Sequence, residues 1–529
     1  MFLLSFAALW ENSYRLGIGV ATKKARVENG GSDTNPITTG PRMAKRKPSG
    51  RPPQAQHGNK SKPSQHDKRN RLARPNHQRR RTTEPAVPLR GGLETLASSM
   101  ARMLDARIAF RLPMVIAGMM LAGGRRTAAS WFRAAGVKDD WDRFYDLLAS
   151  IGKDASSVMF PLVMMIFKKF DPGPDGYWTL ALDDSPTKRY GRHVEAANIH
   201  HNPTPGPGDG NWIYGHNWVC LAMVLSHPLF GVIALPLLSR LYVRKADIEK
   251  LKTRYEWEFR TKHELALELC ERVICLLRAL GSLAPFVVVF DGAYAAKVLV
   301  RPLLAKGATV VTRLRSDAKL FDVPTIKAGQ RGRPRKYGKN RVSLKKRAGR
   351  RDGWTTISYA CRGVMTQARY KTFVASSHVF GGSIRVVLLE HASGNWAAYA
   401  SSDVSMSVET ILKIVSDRWS IEEHFHDVKE IWGAGQQQVR NLYSSIGCWN
   451  LCGWLYTMVE LECWDESAER LVDRSDRPWD NPDRRPSHAD RRRRLAREML
   501  RQAFFDDLQT GTDERKIRER FEQLLALAA

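Results

Sequence analysis

The stretch PFVVVFDGAYAAKVLVRPLLAKGATVVTRLR, residues 285–315, carries two unlike hydrophobic patterns in succession. Phe286 to Phe290 is an unbroken apolar run rich in valine, closed by Asp291 and Gly292. Such a run is a strand followed by a turn. Lys297 to Gly307 spaces its apolar residues as an amphipathic helix does, and Ala308 to Arg315 returns to the strand pattern. Strand, helix, strand is the unit of an α/β sheet covered by helices.

The same reading extends in both directions. YWTLALDD (177–184) is a short apolar run ending in acids, and NWVCLAMVLSH (217–227) and GVIALPLLSRLYV (231–243) are of strand length. KHELALELCERVICLLRALG (262–281) is an amphipathic helix stopped by Gly281. A polar segment, 316–353, interrupts the alternation. Strand-like runs follow it (WTTISYACRGV, YKTFVASSHV, SIRVVLLEHAS, NWAAYASSD), then a helix from near Ser407 and a helical region after Arg470. Residues 91–152 read as short helices, either a small DNA-binding bundle or a helical cap on the next domain. Residues 1 to about 88 hold few large apolar side chains and much Pro, Arg, Lys and Gln, so they read as disordered. No internal repeat is present.

Charge narrows the partner. The chain has 84 Lys and Arg against 54 Asp and Glu, a formal charge of +30 over 529 residues. The excess is clustered: fourteen cations against Asp67 alone between Arg42 and Arg81, and eleven with no acid between Arg331 and Arg351. Clustered basicity points to a polyanion, with nucleic acid first and an anionic membrane surface second. No run of eighteen apolar residues occurs, so no span of a bilayer is expected. The opening MFLLSFAALW lacks a basic flank and a cleavage site, and Met43 is a plausible alternative start. Seven cysteines without C-x-x-C spacing suit reduced thiols, and a cytoplasmic, nucleoid-associated protein is expected.

Two acids stand where apolar strands stop: Asp183, with Asp184 beside it, and Asp291. Open α/β sheets place ligands at such ends, although an Asp after a strand also simply begins turns, as Asp291-Gly292 does. A third acid lies in DRWSIEEHFHDVKEIWG (417–433). At about 100° per residue, Arg418, Glu422 and Lys429 fall on the face of Ile421, Phe425 and Trp432, which packs inward. Glu423, Asp427 and Glu430 fall on a solvated face. Charges on a packing face are costly unless paired or bound. An Arg418–Glu422 pair with Lys429 snorkelling is one solution; a face lining a metal and phosphate site is the other.

These residues resemble a known pattern. Arg418, Glu422 and Lys429 reproduce R-x3-E-x6-K of the insertion-sequence DDE transposases whose signature is Y-x2-R-x3-E-x6-K, with Val415 where that signature has Tyr. DGAY at 291–294 is similar to the family's second-Asp motif. LALDDSPTKRYG resembles the first, with Ser185 where Thr is usual. The resemblance covers roughly Tyr177 to Glu460. It implies an α/β protein with an RNase H-like catalytic core interrupted by a mainly β insertion, an N-terminal helical region and a disordered basic tail. The implied division is a tail at 1–88, helices at 89–170, core at 171–315, basic insertion at 316–395, core with the catalytic helix at 396–465, and helices at 466–529. Asp183, Asp291 and Glu422 are then catalytic and metal-ligating, with Asp184 the alternative first acid, and Arg418 and Lys429 contact phosphates.

The cofactor implied is Mg²⁺, with Mn²⁺ able to substitute. Two hard cations held by carboxylates activate water and stabilise the leaving oxygen of a phosphodiester. The partners implied are double-stranded DNA, at the element's ends and in the target, with a homodimer on the ends and no membrane. RGRPRK (331–336) resembles an AT-hook core, so Arg331 and Arg333 are candidate DNA contacts in a minor groove. His424 and His426, or His200 and His201, lack finger-spaced cysteines, and zinc is not expected. Two further readings share these residues: a structure-selective nuclease that cuts without joining, and a domesticated DNA-binding protein without catalysis.

Overall fold

The 285–315 stretch folds as read: Phe286–Phe290 and Ala308–Leu314 are parallel strands, and Lys297–Ala305 is the helix between them. The computed structural model describes residues 84–170, 176–202, 210–325, 335–391, 394–472 and 483–509, with isolated positions elsewhere. Among these, twelve strands form one mixed sheet. In chain order they are β1 (Trp178–Lys188), β2 (Asn198–His201), β3 (Trp212–His227), β4 (Gly231–Tyr242), β5 (Phe286–Phe290) and β6 (Ala308–Leu314). Then come β7 (Leu320–Phe321), β8 (Arg341–Val342), β9 (Thr355–Cys361), β10 (Val364–Ser377), β11 (Gly382–Glu390) and β12 (Trp396–Ser401).

Five strands lie in the order β4-β3-β1-β5-β6. The first three are antiparallel, while β5 and β6 run parallel to β1. Helices cover this part on both faces, so its strands are buried almost continuously and every residue of β5 is buried. The arrangement is consistent with an RNase H-like fold. The strands of the 316–395 segment continue the same sheet through β12, which follows that segment: β12 pairs with β6, and β11, β10 and β9 come next.

The longer helices around the sheet are α1 (Lys262–Ala279), α2 (Lys297–Ala305), α3 (Val408–Asp417), α4 (Ser420–Glu430), α5 (Leu442–Glu462) and α6 (His488–Gln509). A capping box of Thr261 and Glu264 starts α1. Seven helices lie between Gly91 and Lys169, and one of them, Trp141–Lys153, meets α5 backbone to backbone. A Cβ on Gly152 would stand 1.8 Å from the Tyr443 carbonyl oxygen, and one on Gly447 2.0 Å from that of Leu148. Glycine is therefore needed on both helices, for close approach. Trp449 and Trp454 of α5 are core: Trp449 stacks on Trp218 at 5.0 Å, and Trp454 donates to the Leu237 carbonyl. No single helix among the described residues is long and apolar enough to cross a membrane.

One expectation needs correction. The helix read as continuous from Ser407 breaks at Arg418 and Trp419, dividing α3 from α4. Both residues keep helical backbone angles, but the amides of Ile421 and Glu422 bond to carbonyls three residues back, at 3.0 and 2.9 Å. The break lies where the β9–β10 turn meets the helix. The β9–β10 turn lays the Arg362 guanidinium 4.4 Å over the Trp419 ring, and the Arg362 amide donates to the Ser416 hydroxyl. Hydrophobic periodicity does not register such a break because the turn angle barely changes.

Candidate active site

Asp183 does not end its strand. β1 runs on to Lys188, because β3 still pairs with it, Asp183 opposite Cys220 and Lys188 opposite Gly215. What stops at Leu182 is the parallel pairing with β5, whose last pair is Leu182 with Phe290. Asp183 and Asp291 are thus the first residues past the point where the two strands part. The Asp291 carboxylate accepts from the Ala293 amide at 3.4 Å and opens a short turn. That turn presses on β6: a Cβ on Gly292 would lie 2.8 Å from the Arg313 carbonyl oxygen, which accounts for the DG pair.

Side chains alternate across a strand, so Asp183 and Asp184 face opposite ways and meet different partners. Asp184 accepts from Lys262 Nζ at 2.7 Å and from the Tyr294 hydroxyl at 3.0 Å. Asp183 faces α4. Arg418 donates from Nη1 to Asp183 at 2.8 Å and from Nη2 to Glu422 at 2.9 Å, one guanidinium joining two acids on separate elements. Nothing in the sequence flagged Lys262, and Tyr294 was noted only as the last residue of DGAY; together they hold Asp184 on the far side.

Asp183 is short of positive charge for its position. Burial pushes its carboxyl up to about 6; Arg418 and the Asp184 amide pull the other way, and the Asp184 and Glu422 carboxylates add to the rise. Lys429 is half-buried, and burial lowers its pKa. It feels Cys220, the residue opposite Asp183, and among the described residues no hydrogen bond or ion pair holds its ammonium. The pKa of Tyr399 in β12 is raised by burial, with Arg313 and Arg418 pulling it down and Cys361 and Asp291 adding to the rise, so a tyrosine outside every motif shares this environment.

The division of the helix faces holds for the apolar residues and for Glu423 and Glu430, but not for Asp427, whose side chain is 27% exposed against 36% for Glu422. Ile421, Phe425, Val428 and Trp432 are buried, Glu423 and Glu430 are exposed, and Asp427 is half-buried beside His426. His424 is buried, and burial with Lys429 nearby lowers its imidazole to about 3, so it stays neutral. Arg331 and Arg333 lie outside the described residues.

Among the described residues, no three His, Cys, Asp or Glu side chains are close enough to share an ion. The donor set nevertheless fits a hard divalent cation. It offers carboxylate oxygens alone, two of them on adjoining strands, and the most buried of the three acids needs a cation beside it. Arg418 meets that need here, and Glu422 reaches Asp183 only through it.

Residues 100–372, just over half of the chain, match the DDE superfamily endonuclease family. The chain belongs to that family. For this DDE superfamily endonuclease the matched segment contains Asp183 and Asp291, while Glu422 and α4 lie beyond it. A solved structure of a piggyBac transposase synaptic complex with hairpin DNA aligns over 80% of this chain and 75% of that one, at 10% identity and a TM-score of 0.34. No curated protein matches the chain.

Proposed function

We propose that this DDE superfamily endonuclease is an insertion-sequence transposase that cuts DNA at element ends and joins the freed 3′-hydroxyl to target DNA. The observation that carries the reading is the Arg418 bridge between Asp183 and Glu422, set beside Asp291 on the adjoining strand. Asp183, Asp291 and Glu422 would hold Mg²⁺, or Mn²⁺ in its place. The bound ions supply an activated water and a stabilised leaving oxygen.

The chain's own residues supply the rest. Paired strands fix Asp183 and Asp291, and the turn at Gly292 aims Asp291 at the sheet rim. Asp183 is an anion, and so a ligand, above about pH 6. Arg418 presents a planar fork suited to a phosphate as well as to carboxylates. Lys429 holds a second, partly dehydrated cation on the same face. Hydrolysis breaks the P–O3′ bond and leaves a 3′-hydroxyl, which then displaces a second 3′ oxygen in the target.

Double-stranded DNA would reach this site across the basic insertion. Arg341, Lys345, Lys346, Arg347, Arg350 and Arg351 are exposed there, and Arg331 and Arg333 adjoin them in sequence. A homodimer would hold two ends together, and a nucleoid location follows from the substrate. The test uses purified chain, Mg²⁺ or Mn²⁺, and labelled DNA bearing the element's ends. Asp291→Ala and Glu422→Ala should each lower nicking and joining about a thousandfold or more, the several kcal/mol such ions contribute, with DNA binding retained. Nicking without joining would favour a nuclease, and binding with neither would sink the proposal.

A further inference from the structure

Four of the exposed large apolar side chains gather at one place, where β1 ends and β2 and β3 pair. Tyr190 is 83% exposed, Trp212 66%, Ile199 53% and Tyr214 36%. Singly exposed aromatics need no explanation, but a cluster marks an interaction surface. Part of this one is pre-set. The Trp212 ring meets His201 edge-on at 5.5 Å, and the Tyr214 hydroxyl donates to the Gly191 carbonyl at 3.3 Å. A cavity of about 300 Å³ opens between Lys188, Tyr190, Asn202, Trp212 and Tyr214, at the small end of ligand pockets and suited to one planar ring.

The rim is cationic. Lys188, Arg192, His193 and His201 are exposed around the rings. The nearby acids are engaged internally: Glu195 by Arg254 at 2.6 Å and Tyr255 at 2.5 Å, Asp247 by Arg244 at 3.0 Å. Register sets the orientation. Ser185 pairs with Trp218 and Thr187 with His216, so Trp212 and Tyr214 fall on the same sheet face as Asp183. At about 3.4 Å per residue they stand roughly 27 and 20 Å along β3 from Cys220, the partner of Asp183. The patch is therefore separate from the candidate active site.

We propose that this aromatic patch is a stacking platform for unpaired bases of single-stranded DNA, several nucleotides along the strand from the cleaved bond. A duplex hides its base faces and shows only phosphates and groove edges, so exposed rings gain nothing from it. Unpaired bases offer faces to the rings while their phosphates meet the cations, the combination that single-strand binders use. The inference rests on the DNA reading proposed above.

The test is fluorescence anisotropy of the full chain with a labelled single-stranded 12-mer of mixed sequence and with a duplex of the same length. Tyr190→Ala/Trp212→Ala should lose about tenfold in single-strand affinity per stack, about a hundredfold in all, with duplex affinity within twofold. Trp212→Phe should keep most of its share. Unchanged single-strand affinity, or equal losses on both DNAs, overturns the platform, while duplex binding by the unaltered chain keeps the DNA reading standing. Failure of the unaltered chain to bind either DNA overturns the DNA reading itself, and this site with it.

Discussion

Replacing Asp183 with Asn should abolish cleavage and yet, without metal, make the fold more stable. The carboxyl titrates near 3.8 in an unfolded chain and at about 6 in the folded one. Between those values the native state keeps a proton that the unfolded state has released, so stability falls as pH rises through that window. At about 1.36 kcal/mol per pH unit, the loss reaches about 3 kcal/mol by neutral pH. The side chain is 20% exposed, so solvent relieves part of this and the figure is an upper bound. Asn imitates the protonated acid and escapes the loss. Urea unfolding in EDTA should show the two chains equal near pH 4 and the variant ahead by up to about 3 kcal/mol at pH 7–8. Added Mg²⁺ should then stabilise the original chain and not the variant, since only a ligand of the native state shifts that balance. A variant less stable at pH 8, or a gap that does not change with pH, would refute the reasoning.

Two further outcomes are expected. Burial acts to raise Glu268, but Arg240, then Arg272 and Arg260, outweigh it and hold its carboxyl down at about 2 against an ordinary 4.5. The stability it contributes is complete above pH 4.5 and is lost as pH falls towards 2; Glu268→Gln should cost about 3 kcal/mol at pH 7 by chemical denaturation, with the gap closing in acid. Arg331→Ala/Arg333→Ala should flatten the dependence of DNA affinity on salt by about 0.9 in log–log slope for each phosphate no longer neutralised; an unchanged slope would take this segment off the DNA path.

Much of the core was legible because each element is decided by local pattern. Phe286–Phe290 is a strand by its apolar run alone, Lys262 to Gly281 is a helix by its spacing with Gly281 to stop it, and the DG pair at 291 announces a turn. The inward set Ile421, Phe425 and Trp432 came from spacing, and so did Arg418 beside Glu422, because four residues make one helical turn. The true end of β1 was not legible, because hydrophobicity reports burial, whereas strand pairing is made by backbone groups that any residue carries. Nor was the break at Arg418–Trp419, where the residue packed on it, Arg362, comes from more than fifty residues away.

What the sequence determined by itself is the set of parts: the strands, the helices, a clustered positive charge and three acids on three elements. Which partners Asp183 and Asp184 take needed the tertiary structure. Both end the same apolar run, and only the packing of α1 on one side and α4 on the other gives the first acid to Arg418 and Glu422 and the second to Lys262 and Tyr294. The aromatic cluster is of the same kind. Tyr190, Ile199, Trp212 and Tyr214 lie on two strands and the loop after β1 and together form no motif, and their exposure is a property of the assembled surface. Local pattern decides what each segment becomes; which side chains meet, and which stay in water, depends on long-range packing that no single stretch encodes.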